Sequence, residues 1–268
     1  MRKNIFDNSQ IWNWIDSNDN NKERYLFTEQ LTPPDVASIV DLGCGHGGFL
    51  KLISSVRTNI RCVGVDNSDG ALGHIQVEKK KASITEVPYG NNEFDCVYAL
   101  EVLEHLGPED FKKALGEMTR LSKKYIIVSS PYKEDIEWNM VKCPSCKTIF
   151  HYDGHVQTFD EGRMEKLFNE YGFKCITSTR LGWTENFKFH KSYIKAFYPD
   201  QVLTTPHYTV CPVCNMELQP NRMLPGTSDL SQPDKSRNTV MGIFKGAIKA
   251  FWPKERKSYW IIALYKKQ

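Results

Sequence analysis

The chain lacks any apolar run near the roughly 20 residues that span a bilayer. Its opening residues, Met1-Arg2-Lys3-Asn4-Ile5-Phe6-Asp7, hold no apolar signal core. Both absences make a cytoplasmic protein the expectation. An excess of one charge is missing too. Thirty-five Lys and Arg face 32 Asp and Glu, and the net charge of +3 is too small to argue for nucleic acid. Internal repeats are absent apart from one paired cysteine motif. Hydrophobic residues make up 40% and charged residues 25% of 268. That composition is ordinary for a globular protein, and the length fits one large domain, or one with a small appendage. In a reducing compartment the eight cysteines should be thiols or metal ligands, not disulfides.

The most informative stretch is Ile39-Val40-Asp41-Leu42-Gly43-Cys44-Gly45-His46-Gly47-Gly48-Phe49-Leu50. It reads as a buried strand that ends near an acid, turns through glycines and enters a helix. That geometry suits a nucleotide-like cofactor. Residues without side chains let the backbone approach a ligand, and a helix N-terminus offers unpaired N–H groups. A second apolar strand follows, Cys62-Val63-Gly64-Val65-Asp66, with an acid at its end where such folds grip ribose hydroxyls.

The Asp-Leu-Gly-Cys-Gly-x-Gly run resembles motif I of the class I S-adenosylmethionine-dependent methyltransferases, in a form similar to the type 11 group. The dinucleotide fingerprint spaces its glycines differently. The resemblance continues through Val87-Pro88-Tyr89, Asn91-Asn92-Glu93-Phe94-Asp95-Cys96-Val97, Glu101-Val102-Leu103-Glu104-His105-Leu106 and Tyr125-Ile126-Ile127-Val128-Ser129-Ser130-Pro131. It implies S-adenosylmethionine as cofactor. Asp41, Gly43, Gly45 and Gly47 would line its methionine part, and Asp66, with Asn67 beside it, would take the ribose. Ser83 and Ile84, with Thr85, stand where the family places an acid near adenine, so the pattern departs there. Leu100 closes the cofactor side of strand four.

Strands are expected near 38–42, 61–66, 81–85, 94–99, 125–130, 173–180 and 258–265. Helices are expected from about Gly47 to Ser55, over Pro108 to Leu121, and from Phe159 to Tyr171 with a stop at Gly172. Alternating strands and helices imply an α/β fold with a mostly parallel, Rossmann-like sheet. The family resemblance makes the last strand antiparallel. Residues 1–37, with Trp12 and Trp14, read as a helical cap before the domain at 38–268. Two stretches exceed the minimal fold, about 132–153 and 182–257. Residues 234–257 hold basic residues among apolar ones at roughly helical spacing, as does the narrower 240–257. This segment could pack on the core as a lid or touch a membrane surface.

Each insertion carries a C-P-x-C knuckle, Cys143-Pro144-Ser145-Cys146 and Cys211-Pro212-Val213-Cys214. Such spacing lets two thiolates of one turn reach the same Zn²⁺, and two knuckles complete a closed tetrahedral site. The alternatives are unpaired buried thiols, a redox dithiol, or His151 or His155 in place of one cysteine. A four-ligand site is structural, and would knit the insertions into a small zinc-binding subdomain walling the substrate pocket. Cys44, Cys62, Cys96 and Cys175 read as small packing residues.

Methyl transfer from a sulfonium requires an oriented nucleophile and, for a hydroxyl, removal of its proton. His105, after strand four, and His155, in Asp153-Gly154-His155-Val156, are the candidate bases. Either histidine could instead be satisfied by ordinary packing and a backbone partner. Glu101, Glu104 and His105 also resemble the E-x-x-E-H segment that some methyltransferases use for a divalent cation, although this segment is common where no metal is known. The expected activity is O-methylation of a small molecule or of a sugar or lipid-linked intermediate. An RNA methyltransferase and a non-catalytic cofactor-binding scaffold are the alternatives.

Overall fold

The computed structural model describes residues 19–187, 208–219 and 254–268. Helix α1 (Asp19–Leu31) precedes strand β1 (Ser38–Leu42), α2 (Gly48–Val56) and β2 (Arg61–Asp66). A one-turn helix α3 (Asp69–Leu72), β3 (Glu78–Lys81), β4 (Phe94–Leu100), α4 (Pro108–Leu121) and β5 (Ser122–Pro131) follow. Then come a hairpin of β6 (Met140–Lys142) and β7 (Ile149–His151), α5 (Glu161–Lys166) and β8 (Phe173–Phe187). A second hairpin of β9 (Thr209–Val210) and β10 (Glu217–Leu218) precedes the last strand, β11 (Lys254–Lys267).

Seven strands form one sheet in the order β3-β2-β1-β4-β5-β11-β8. The first five pair in parallel, and β11 runs antiparallel between β5 and β8. The expected α/β class and the antiparallel last strand are both present. Side chains alternate across the sheet, so Val40 and Leu42 enter one core and Ile39 the other. Leu115, Met118 and Leu121 of α4 and Met164 of α5 cover the first face. Phe49, Leu50 and Ile53 of α2 cover the second, where α1 adds Tyr25, Phe27 and Leu31. Helix α1 is fixed by Arg57, whose guanidinium donates to the carbonyls of Glu29, Thr32 and Pro33 and pairs with the Glu29 carboxylate at 2.8 Å.

Three elements differ from the expectations. Strand β3 lies at 78–81 rather than 81–85, because it is the edge strand and its four residues, Glu-Lys-Lys-Lys, are all exposed. No apolar alternation marks it. The helix expected over 159–171 is α5 followed by a 3₁₀ turn at Asn169–Tyr171, and Gly172 stops it in the left-handed region at φ 76°. Strand β11 begins at Lys254, so the last four residues of the basic segment are strand. Its remainder, 234–253, lies outside the described residues, as do Trp12 and Trp14.

Candidate active site

The parallel strands converge on one edge of the sheet, and the loops leaving their C-terminal ends build the site. After β1 the chain turns through Gly43, Gly45 and Gly47 with φ of 70°, 54° and 83°. A Cβ on Gly43 would stand 2.6 Å from Val102, so only glycine fits where this turn meets the segment after β4. The carboxylate of Asp66, at the end of β2, accepts from the N–H of Gly45 at 2.9 Å and of Ser68 at 2.8 Å. It therefore ties the glycine turn to the second strand. Ser68 in turn caps α3 through Ala71. Asn67 and Ser83 are exposed beside these elements, Ile84 is half-buried and Leu100 is buried.

Asp41 is 2% exposed, and its Oδ1 has no hydrogen-bond partner among the described residues. Burial pushes its carboxyl up to about 7, with Arg24 pulling it back and Asp66 adding to the rise. Arg24, from α1, is buried and donates to Ser129 Oγ at 3.3 Å. Sequence reasoning passed over Arg24, because nothing near it in the chain signals that its guanidinium lies over Trp260 of the last strand at 5.4 Å.

Beyond Val102 the chain forms a 3₁₀ turn, Leu103–His105. The loop carrying His155 docks on it. Val156 N–H donates to Glu104 O at 2.9 Å, and the Gln157 amide caps Leu103 and Leu106. This brings His155 against His105, their ring centres 4.6 Å apart, and against Glu104. Both histidines expected as candidate bases thus stand together. Glu101 is oriented otherwise. Its carboxylate accepts from Ser129 Oγ at 2.8 Å and from Trp260 Nε1 at 2.9 Å.

Burial sets the protonation of this group. It pushes His105 down to about 3, with the charge of His155 adding to the fall. It pushes Glu104 up to about 8, reinforced by Glu101. His155 resists, because a hydrogen bond to Glu134 and the charge of Glu104 outweigh its burial and hold it near 9. Burial also opposes the charge of Glu134, but the neighbouring His151 ring and the hydrogen bond from His155 overcome it and hold that carboxyl below the usual range. Glu134, which no sequence pattern marks, comes from the turn after β5.

The four knuckle cysteines converge without help from either histidine. Cys143 and Cys214 Sγ are 3.5 Å apart, as are Cys146 and Cys211, and all four sulfurs lie within 4.8 Å of one another. A disulfide would need about 2.05 Å. A tetrahedron with Zn–S bonds of about 2.3 Å has edges of about 3.8 Å. The two knuckles repeat one another. Cys143 N–H donates to Thr148 O and Cys211 N–H to Met216 O, while Lys147 N–H returns to Cys143 O and Asn215 N–H to Cys211 O. Lys147 and Asn215, each just past the second cysteine, share φ near 60°. Among the described residues Val141, Cys143, Phe150 and Cys211 form a small buried cluster around them, with Tyr152 and Leu218 packed against it.

The family model described as "Methyltransferase domain" matches residues 18–178, more than half of the chain. The chain belongs to this family. It is a member of the class I S-adenosylmethionine-dependent methyltransferases. An uncharacterized protein of Methanocaldococcus jannaschii is 34% identical over 131 residues, covering 46% of this chain and 52% of that protein. An Aspergillus luteorubrus protein named as a probable methyltransferase is 33% identical over 106 residues, covering 32% and 36%. The chain thus spans about half, or less, of these relatives' length. A Thermotoga maritima structure, titled a SAM-dependent methyltransferase and possible histamine N-methyltransferase, superposes with a TM-score of 0.52 at 15% identity. It covers 98% of each chain and shows a shared fold. Among the described residues no helix is long and apolar enough to cross a membrane.

Proposed function

We propose that this methyltransferase transfers the methyl group of S-adenosylmethionine to a hydroxyl oxygen of a small molecule, or of a sugar or lipid-linked intermediate. The observation that carries this is the buried Glu104–His105–His155 group, joined to the glycine turn through Val102. A neutral amine attacks a sulfonium without losing a proton first, whereas a hydroxyl must give one up. Buried acid and imidazole groups with their protonation pushed apart suit the hydroxyl.

The residues fit the cofactor. Asp41 Oδ1 is buried without a partner, and the ammonium of the methionine part would supply one. Gly43, Gly45 and Gly47 keep the turn free of side chains. Asp66 and Asn67 would take the ribose, and Ser83, Ile84 and Leu100 would line the side of the base. The cofactor supplies an electrophilic methyl on a positively charged sulfur. The protein holds the acceptor oxygen in line with it. Once it has given up its second proton, His155, whose Nδ1–H is committed to Glu134, would offer Nε2 to the acceptor hydroxyl. Departure of the hydroxyl proton leaves an oxygen that forms the O–CH₃ bond as the S–CH₃ bond breaks.

Zn²⁺ bound by Cys143, Cys146, Cys211 and Cys214 would be structural, since four protein ligands leave no open position. Among the described residues the buried cluster around the knuckles is small, so metal binding would add to its folding energy. In this scheme 1–37 is a cap, 38–268 the catalytic domain, and the segments 132–153 and 182–257 form the zinc-knit wall of the acceptor pocket. The test is transfer of labelled methyl from the cofactor into fractionated cell extract. Label in the small-molecule, glycan or lipid fraction, resistant to the treatments that cleave methyl esters, is expected. Label confined to RNA, or cofactor binding with no transfer into any fraction, would overturn the proposal.

A further inference from the structure

The geometry points to a divalent-cation site formed by Glu104, His105 and His155, separate from the cysteine cluster and positioned by Glu134. One ligand atom from each of the three residues lies within 4.8 Å of the other two. Glu104 is fully buried, and its two oxygens are treated differently. Oε2 accepts from Ser130 Oγ at 3.0 Å, while Oε1 has no partner among the described residues. A fully buried carboxylate oxygen left bare is costly, and a cation would satisfy it.

The histidines are prepared for the same ligand. His155 Nδ1 donates to Glu134, so Nε2 is the nitrogen left to ligate a cation, which would take the place of its proton. A carboxylate that grips the outer nitrogen of an imidazole is the usual support of a metal-binding histidine. Glu134 is itself held by the Asn139 amide at 2.7 Å, and His151 Nε2 lies 3.3 Å from its other side without a hydrogen bond among the described residues. His151 Nδ1 accepts from the backbone N–H groups of Asp153 and His155, so His151 is a support and not a ligand. His105 is steadied by a hydrogen bond with the Gly154 backbone. Glu101, which the resemblance to the E-x-x-E-H segment offers as a third ligand, is engaged by Ser129 and Trp260, and His155 takes its place.

Two imidazoles and one carboxylate favour Mn²⁺, Fe²⁺, Co²⁺ or Zn²⁺ over Mg²⁺ or Ca²⁺. Three protein ligands leave positions open for a substrate oxygen. With the cation bound, Nε2 of His155 is a ligand and not a base, and a hydroxyl seated there would lose its proton to water more readily, because the cation lowers its pKa. That use of the cation rests on the methyl-transfer proposal. The binding itself does not, and it is measured without turnover.

The experiment titrates Mn²⁺ into the full chain after dialysis against a weak chelator. Binding is followed by electron paramagnetic resonance, with pulsed detection of nitrogen couplings. Mn²⁺ avoids thiolates, so the cysteine cluster does not compete for it. The expected result is about one bound ion per chain with two coupled imidazole nitrogens. His105→Gln and His155→Gln should each weaken binding more than Glu134→Gln, which should cost about 10–100-fold. The nitrogen couplings are read on the unaltered protein, so a variant that fails to fold does not decide the matter. No stoichiometric binding, bound Mn²⁺ without nitrogen couplings, or wild-type affinity in a folded His155→Gln variant would each overturn the proposal.

Discussion

Two carboxylates of the candidate cofactor site behave differently because one is solvated and the other is not. Asp66 already spends its oxygens on the N–H groups of Gly45 and Ser68, so it holds the turn as well as facing the proposed ribose position. Asp66→Ala should weaken S-adenosylmethionine binding by about 1.5–3 kcal/mol, the scale of a hydrogen bond to a charged group. Wild-type affinity by calorimetry would show that Asp66 has another role. Asp41 makes a pH-dependent prediction. Its carboxyl sits near 7, so it is neutral below that pH and charged above it. Only the charged form pairs with the ammonium of the cofactor. Affinity should therefore be full above pH 7 and fall up to about tenfold per pH unit below it. Asp41→Asn should flatten this profile. An unchanged slope in that variant would mean that a different group titrates.

At the level of elements, the glycine turn and the knuckles were legible in the sequence because their chemistry is local. Gly43, Gly45 and Gly47 carry the positive φ that their spacing suggests. The two C-P-x-C motifs announce one another, and their sulfurs meet across the two hairpins. Strand β3 was misplaced because four exposed charged residues at a sheet edge carry no period. The Glu134–His155 and Arg24–Ser129 pairs could not be read at all, since each joins segments distant in sequence through the fold. Gly43→Ala tests the turn. The added Cβ meets Val102 and must adopt a left-handed conformation, so thermal stability should drop by about 1–3 kcal/mol. An unchanged melting curve would mean that the turn moves aside freely. For the hairpins, purified protein should carry about one Zn²⁺ bound by thiolates, and Cys143→Ser/Cys211→Ser should lose it. Metal analysis that finds the same zinc content in both proteins would exclude the site.

For the molecule as a whole, the central claim is a division of labour. The sheet and its helices bury two extensive apolar faces of their own and carry the cofactor turn. Among the described residues the hairpins add a cluster of four buried residues, and β7 ends at His151, which lies against Glu134, the partner of His155. Loss of the hairpins should therefore spare the core and disturb the acceptor side. The most direct measurement takes the Cys143→Ser/Cys211→Ser variant and determines two quantities on one preparation. These are the Kd for S-adenosylmethionine by calorimetry and the rate of label transfer into the acceptor fraction. The predicted result is a Kd within about twofold of wild type, since the core is unaltered, with transfer reduced by at least about 100-fold because the oxygen is no longer held in line. Loss of cofactor binding along with transfer, or transfer at the wild-type rate, would contradict the division between core and acceptor wall.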